Sequence, residues 1–357
     1  MNPRVRVLVV DDSALMRKLI PRLLADDPSI EVVGTAMDGA IALRKIEELR
    51  PDVLTLDLEM PLMDGIATLR AIMRARRVPV IVFSAHSRRG ANLTFQALAL
   101  GAFDFVTKPP EATREALGAA AGELAEKIKA AAGSHVPNLP PAELPEAPLY
   151  KAPADEDPRP CPTRIIAVGI STGGPGALQR VIPQLRADFS GCILIVQHMP
   201  VGFTEMFARR LDECSAIHVQ EARSGDFLMA GHAYVCPGNR HMTVRRMVVG
   251  DLVVLRDTER VNGHRPSADV LLASVAHEFG AAAAGVIMTG MGEDGVEGLG
   301  KVRDAGGITM AQSRESCVVD SMPRTAIERR YAQRVVPLEV MGRVWEEICA
   351  GDRVAAS

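Results

Sequence analysis

Residues 165–178 read IIAVGISTGGPGAL. A short apolar run breaks into small residues and then reaches Pro175, whose preset φ suits the first turn of a helix. The stretch therefore predicts a strand, a glycine-rich turn and a helix in succession, which is one βα unit. Working outward, the same alternation returns in CILIVQ (192–197), AAGVIMTG (283–290) and GITMAQ (307–312). It is interrupted between Ala233 and Asp257, where MTVRRMVVGDLVVL predicts a small antiparallel hairpin. Upstream, VRVLVV, EVVGTA, DVLTLD, VPVIVFS and FDFVTK repeat the pattern, and an amphipathic segment from Thr113 to Ala132 closes that half. Short β-branched runs alternating with helical periods are the signature of parallel strands joined by crossover helices. The expected fold class is α/β, with two doubly wound parallel-sheet domains.

Between the halves the composition changes. Residues 136–163 carry nine prolines and almost no periodic apolar signal. Proline lacks a backbone donor and restricts the residue before it, so this reads as an extended, semi-rigid linker. The expected division is 1–132 for the first domain, 133–163 for the Pro-rich linker and 164–357 for the second domain. A chain of 357 residues agrees with two cores rather than one.

A net charge of -3 from 41 basic and 44 acidic residues offers no general attraction to nucleic acid or to an anionic membrane. The six cysteines are scattered, with no CxxC pair and no zinc-ligand spacing beside histidines. Isolated thiols fit a reducing compartment. MNPRVRVLVVDDS reaches an acidic pair too early for a secretory signal, and no apolar run approaches the roughly 20 residues of a membrane helix. A cytoplasmic location is expected.

Three carboxylates of the first domain fall where predicted strands end: Asp11 and Asp12 after VRVLVV, and Asp57 after DVLTL. Ligand crevices of open parallel sheets lie at the carboxyl ends of strands, so these side chains should converge. Clustered carboxylates repel unless a hard cation such as Mg²⁺ shares them. Two further strand ends supply Ser84 and Lys108, a hydroxyl and an ammonium suited to a phosphoryl group on Asp57. Each residue taken singly could be a surface cap; five such residues in this order form a pattern. VVDDS, TLDLEMPLMDG, FSA and VTKP together resemble a response-regulator receiver domain over residues 4–130. The resemblance implies phosphorylation of Asp57 by a histidine kinase, with Mg²⁺ held by Asp11, Asp12, Asp57 and the Glu59 carbonyl. It also places Phe105 at the aromatic switch position beside Ser84 and Lys108, although by pattern alone Phe105 could equally be core.

The glycine loop of the second domain allows a phosphate cradle or a nucleophile. A P-loop needs lysine after its last glycine, yet Pro175 follows Gly174, and no lysine occurs between Arg164 and Gly300. The dinucleotide fingerprint fails because Ser171 stands where its second glycine belongs. GISTG does satisfy G-x-S-x-G, a strand-to-helix turn that exposes a serine. A serine hydroxyl needs a base, and His198 ends the next predicted strand in CILIVQHMP. Asp294, in MGEDG after AAGVIMTG, is placed to orient the imidazole. His241, His264 or His277 could instead be the base. Asp294 could instead be a helix cap, with Glu293 as orienter.

GISTGGP, QHMP, HRPSADVL, TGMGEDG and GGITMAQ followed by SCVVDSMPRTAI resemble the catalytic domain of CheB-type protein-glutamate methylesterases, from about Arg164 to Ala350. The resemblance implies a Rossmann-like esterase domain in which Ser171 is the nucleophile, His198 the general base and acid, and Asp294 the orienter. It places oxyanion donors near Thr172 and Met291. His264, Arg265, Pro266 and Ser267 match a further motif with no chemical role readable from the sequence. The implied reaction is hydrolysis of glutamate γ-methyl esters on methyl-accepting chemotaxis receptors, with deamidation of receptor glutamines beside it and no cofactor for the esterase step.

A kinase of the CheA type is the implied phosphodonor, and the unphosphorylated receiver is implied to cover the esterase cleft. Nothing suggests an obligate interface, so a monomer is expected. A receiver-controlled transcription factor lacks support, since there is no helix-turn-helix and no basic patch. A phosphorylation-dependent binding module with a dead esterase domain is opposed by the presence of all three triad candidates. The same chemistry in a chemosensory pathway that controls something other than swimming stays open.

Overall fold

The computed structural model describes residues 4–75, 78–85, 87–109, 113–134 and 161–350. The chain divides into two compact units, one within residues 1–142 and the other within 143–357. The division falls inside the segment expected to link them, most of which (135–160) lies outside the described residues.

In the first unit, strands β1 (Val5–Val10), β2 (Ile30–Ala36), β3 (Val53–Leu56), β4 (Val80–Ser84) and β5 (Asp104–Thr107) form one sheet in the order β2-β1-β3-β4-β5. All pairings are parallel. Helices α1 (Met16–Leu24), α2 (Gly39–Leu49), α3 (Gly65–Ala75), α4 (Arg88–Ala99) and α5 (Arg114–Gly133) cross between and after the strands. Their starts follow local chemistry: Asp38 accepts from Ile41 N at 2.8 Å and Ser87 from Gly90 N at 2.9 Å, each capping an otherwise unpaired first turn. Every residue of β3 and β4 is buried, as strands with both faces covered by helices must be. The strand order reverses between β1 and β3, so the crevice of this sheet opens where Asp11 and Asp57 leave it.

The second unit is built on seven parallel strands: β6 (Ile165–Ile170), β7 (Cys192–Gln197), β8 (His218–Glu221), β9 (His232–Val235), and, after an antiparallel hairpin of β10 (His241–Arg245) and β11 (Leu252–Arg256), β12 (Ala283–Ile287), β13 (Ile308–Gln312) and β14 (Arg334–Val336). The order is β14-β13-β12-β6-β7-β9-β8. Helices α6 (Gly174–Val181), α7 (Phe203–Glu213), α8 (Ala268–Phe279), α9 (Val296–Asp304), α10 (Ser321–Glu328) and α11 (Met341–Ala350) complete it. β6, β7 and β12 are buried throughout, and α8 and α9 pack Leu271, Leu272, Val275, Leu299 and Val302 into the same core.

Two expectations are corrected here. The interruption begins later than Ala233: residues 232–235 are all buried and pair in parallel with β7 and β8, so the antiparallel insertion is confined to β10 and β11. The third strand of AAGVIMTG ends at Ile287, which leaves Met288–Gly290 to begin the loop toward Asp294. The strand order reverses between β6 and β12, which makes the ends of those two strands the binding crevice.

Candidate active site

In the first unit four of the five expected residues, Asp11, Asp12, Asp57 and Lys108, meet. One carboxylate oxygen from each of Asp11, Asp12 and Asp57 lies within 4.8 Å of the others. The Lys108 ammonium sits 2.6 Å from Asp57 Oδ2 and 3.0 Å from Asp11 Oδ2. Burial opposes charge on Lys108, but the two carboxylates outweigh it and raise its pKa. Burial also pushes the Asp11 carboxyl up, against the pull of Lys108. Asp11 Oδ2 is fully buried and, despite that close ammonium, lacks a well-directed hydrogen bond.

Three carboxylates with oxygens this close fit a hard, oxygen-seeking cation. The Glu59 N–H donates to Asp57 Oδ1 at 3.1 Å, which brings residue 59 to the same place. Ser84 is buried and accepts from Thr94 Oγ1 at 2.7 Å. Phe105 is also buried, edge-on to Phe95 at 6.4 Å between centroids, with the Lys127 ammonium 5.3 Å from its ring centroid.

In the second unit, Ser171 directly follows β6 and His198 directly follows β7. Asp294 stands at the far end of the β12–α9 loop, one residue before the left-handed Gly295 that caps α9. Ser171 Oγ lies 3.1 Å from His198 Nδ1, and His198 Nε2 lies 2.9 Å from Asp294 Oδ2. A carboxylate on Nε2 selects the tautomer that carries its proton there and leaves the Nδ1 lone pair for the serine. This is the reverse of the usual triad, in which Nε2 faces the nucleophile.

Asp294 is 1 % exposed. Burial pushes its pKa up, yet the bonds from His198, from Ser267 Oγ (2.7 Å) and from Ala268 N (2.7 Å) outweigh that and hold it at about 2. Asn262 Nδ2 adds a fourth donor at 3.2 Å.

The strand-to-helix turn differs from a strained elbow. Among the described residues Ser171 does not take a positive φ; the left-handed position is Gly173, at φ 76°, where a Cβ would also meet the Val318 side chain at 2.5 Å. Gly290 allows the β12 loop to approach, since a Cβ there would stand 2.8 Å from Ser171 Cβ. Gln197 Nε2 ties the two loops together, donating to Ser171 O at 2.9 Å and His198 O at 3.2 Å.

Around the serine, Gly174 N donates to Ser171 O and Gly290 N to Val319 O, while the N–H groups of Thr172 and Met291 have no acceptor among the described residues. The competing residues turn elsewhere. His241 is fully buried and structural, bonded through Nε2 to Glu259 O and through Nδ1 to Ser267 N. His277 lies in the last turn of α8. Glu293 points outward, 62 % exposed, and pairs with Arg329 at 2.7 Å.

Sequence reasoning missed the donors to Asp294 from Asn262, Ser267 and Ala268, and the position of His264, which stacks on His198. The Asn-Gly dipeptide before His264 was the available signal, because it marks a tight two-residue turn.

Residues 166–344 match the CheB methylesterase family and residues 7–118 the response regulator receiver domain. The chain is 56% identical to a protein-glutamate methylesterase/protein-glutamine glutaminase 2 of Koribacter versatilis, over 99% of this chain and 98% of that one. It is 46% identical to a protein-glutamate methylesterase/protein-glutamine glutaminase of Symbiobacterium thermophilum, over 94% of each. The crystal structure of the Thermotoga maritima CheB methylesterase catalytic domain superposes with a TM-score of 0.51 at 37% identity, covering 52% of this chain and 98% of that one. No helix among the described residues is long and apolar enough to cross a membrane. With a receiver domain and a methylesterase domain matched in order, and near full-length identity to two such proteins, the chain belongs to the CheB methylesterase family.

Proposed function

We propose that the chain is a phosphorylation-regulated protein-glutamate methylesterase and protein-glutamine glutaminase, acting in the cytoplasm on the glutamate methyl esters and glutamines of methyl-accepting chemotaxis receptors. The observation that carries this is the unbroken relay Ser171–His198–Asp294 at 3.1 and 2.9 Å. Ser171 Oγ attacks the ester carbonyl while His198 Nδ1 takes its proton. Asp294 stabilises the resulting imidazolium without itself being protonated.

The N–H groups of Thr172 and Met291, without an acceptor among the described residues, receive the oxyanion. His198 returns the proton to the leaving methoxide, so methanol departs, and a water activated by the same imidazole releases glutamate from the acyl-enzyme. With a glutamine side chain the leaving group is ammonia. The test is methanol release from methyl-esterified receptor membranes by the full chain, with its Ser171→Ala variant as comparison.

In the receiver, Asp11, Asp12, Asp57 and the Glu59 carbonyl would hold Mg²⁺, which supplies neutralisation of charge on an incoming phosphoryl group. Asp57 accepts that group from a histidine kinase of the CheA type. Lys108 pairs with the phosphoryl oxygens, Ser84 leaves Thr94 to bind another, and Phe105 follows as the switch. Phosphate incorporation from a small-molecule phosphodonor is expected to vanish in Asp57→Asn and on chelation of Mg²⁺. Retention of labelling in both cases would refute the assignment.

The receiver restrains the esterase, and phosphorylation relieves the restraint. Removal of residues 1–160 is expected to raise basal methanol release several-fold and to abolish its response to phosphodonor. A truncated chain no faster than the full one would rule out occlusion.

A further inference from the structure

His264 lies face to face with the catalytic imidazole. The centroids of His198 and His264 are 3.9 Å apart and the rings are within 6° of parallel. The two hydrogen bonds of His198 hold its ring at Nδ1 and Nε2. Both bonds lie close to the ring plane, so displacement of the ring along its normal is the motion they restrain least. Such displacement carries Nδ1 out of line with the serine hydroxyl, and proton transfer weakens steeply as a hydrogen bond bends. A flat ring packed on the face blocks that motion.

The turn that presents His264 is rigid for local reasons. Val261 N donates to His264 O at 3.0 Å and His264 N to Val261 O at 2.9 Å, closing a two-residue turn. Its central residues, Asn262 and Gly263, both have positive φ, 52° and 78°, the combination that asparagine and glycine supply. The Asn262 amide then fastens the turn to Asp269 Oδ2 at 2.6 Å and to Asp294 Oδ1 at 3.2 Å. Beyond His264, Arg265 reaches Asn239 Oδ1 at 2.7 Å and Asp257 Oδ1 at 2.9 Å, and Ser267 and Ala268 return to Asp294.

We infer that His264 is a positioning residue for the esterase reaction, and that the segment from Asn262 to Ala268 is a single clamp setting the plane of the base through His264 and the place of the acid through its donors. This rests on the esterase reading above. Burial and the adjacent His198 push the His264 pKa down to about 4, with Asp294 pulling the other way and Arg260 adding to the depression. His264 is thus a neutral platform while His198 gains and loses its proton.

The test compares His264→Ala, His264→Leu and His264→Phe in the full chain, by kcat and KM for methanol release and by thermal unfolding, with Ser171→Ala in the same assay. Leucine keeps bulk without a plane, and phenylalanine keeps the plane without a titratable nitrogen. The alanine and leucine variants are expected to lose about tenfold in kcat at a KM within about twofold of the parent, since small misplacements of a catalytic group are costly. Phenylalanine is expected to restore kcat to within about threefold.

Equal losses in Leu and Phe, an unchanged kcat in Leu, or a loss confined to KM would each overturn the proposal. If the alanine variant does not fold, the leucine and phenylalanine pair still decides. Methanol release surviving in Ser171→Ala would instead refute the esterase mechanism, whatever His264 does.

Discussion

Replacing Ser171 with alanine is expected to lower methanol release from methyl-esterified receptor by at least about a thousandfold, the scale on which removing the nucleophile of a hydrolytic triad acts. The residual rate comes from the oxyanion donors and from substrate binding, which the substitution leaves in place. The fold should barely respond. The Ser171 hydroxyl bonds to His198, while its backbone bond to Thr289 O at 3.0 Å and the Gln197 bond to its carbonyl do not depend on the hydroxyl. An unfolding free energy within about 1 kcal/mol of the parent is expected. Full activity in the alanine variant would remove Ser171 from the reaction. A large loss of stability would mean that the activity loss reports unfolding.

Replacing Asp294 with asparagine is expected to cost about a thousand- to ten-thousandfold in kcat with little change in KM. The two oxygens of Asp294 receive donors from His198, Ser267, Ala268 and Asn262. An amide offers one acceptor and directs its N–H₂ at groups that are themselves donors. The Nε2–H tautomer of His198 then loses its partner, and the imidazolium that forms during attack loses its counter-charge.

Because buried donors are left unpaired, the asparagine variant is also expected to be less stable near pH 7, by about 1–3 kcal/mol. The sign of its pH dependence follows from the carboxyl of Asp294 being held at about 2 rather than its ordinary 3.8. A carboxylate depressed on folding contributes stability above its unfolded pKa and loses it as pH falls through the folded one. The stability gap between parent and variant should therefore be complete above about pH 4 and close toward pH 2, with a linkage component on the order of 2 kcal/mol. Kinetics close to the parent, or a gap that widens in acid, would refute this account of Asp294.

The buried strands were legible because their chemistry is local. IIAVGI, CILIVQ, VLTL and VIVFS are continuous apolar runs, as strands covered on both faces must be, and each ends at the residue that leaves the sheet for the site. The outer strands β8 and β14 were not legible. HVQE and RVV are short and partly exposed, so they carry neither a long apolar run nor a clear alternation, and only pairing with a neighbour makes them strands. β9 was read as part of the interruption of the βα alternation for a related reason. HAYV has the composition of any strand, and nothing within four residues says whether it bonds to β7 in parallel or to β10 in reverse.

At the candidate site, Ser171, His198 and Asp294 could be named from strand ends and motif resemblance, and Glu293 stayed a rival because it is adjacent to Asp294 in the chain. The structure separates the two by burial: one carboxylate is sealed among donors, while the other faces solvent and Arg329.

By itself the sequence determined the local chemistry of this protein: which runs must be buried strands, where each ends, and which acid, base, hydroxyl or ammonium stands at that end. Tertiary structure alone decided the rest, because it depends on pairing between distant segments. Placing β6 between β12 and β7 brings residues 171, 198 and 294 into hydrogen-bond contact across more than a hundred positions of chain. Which nitrogen of His198 faces the serine, and that His264 covers its ring, follow from the seating of the 262–268 segment against that sheet. No local pattern encodes a ring's orientation; it is set by the hydrogen bonds and packing that surround the ring once the chain is folded.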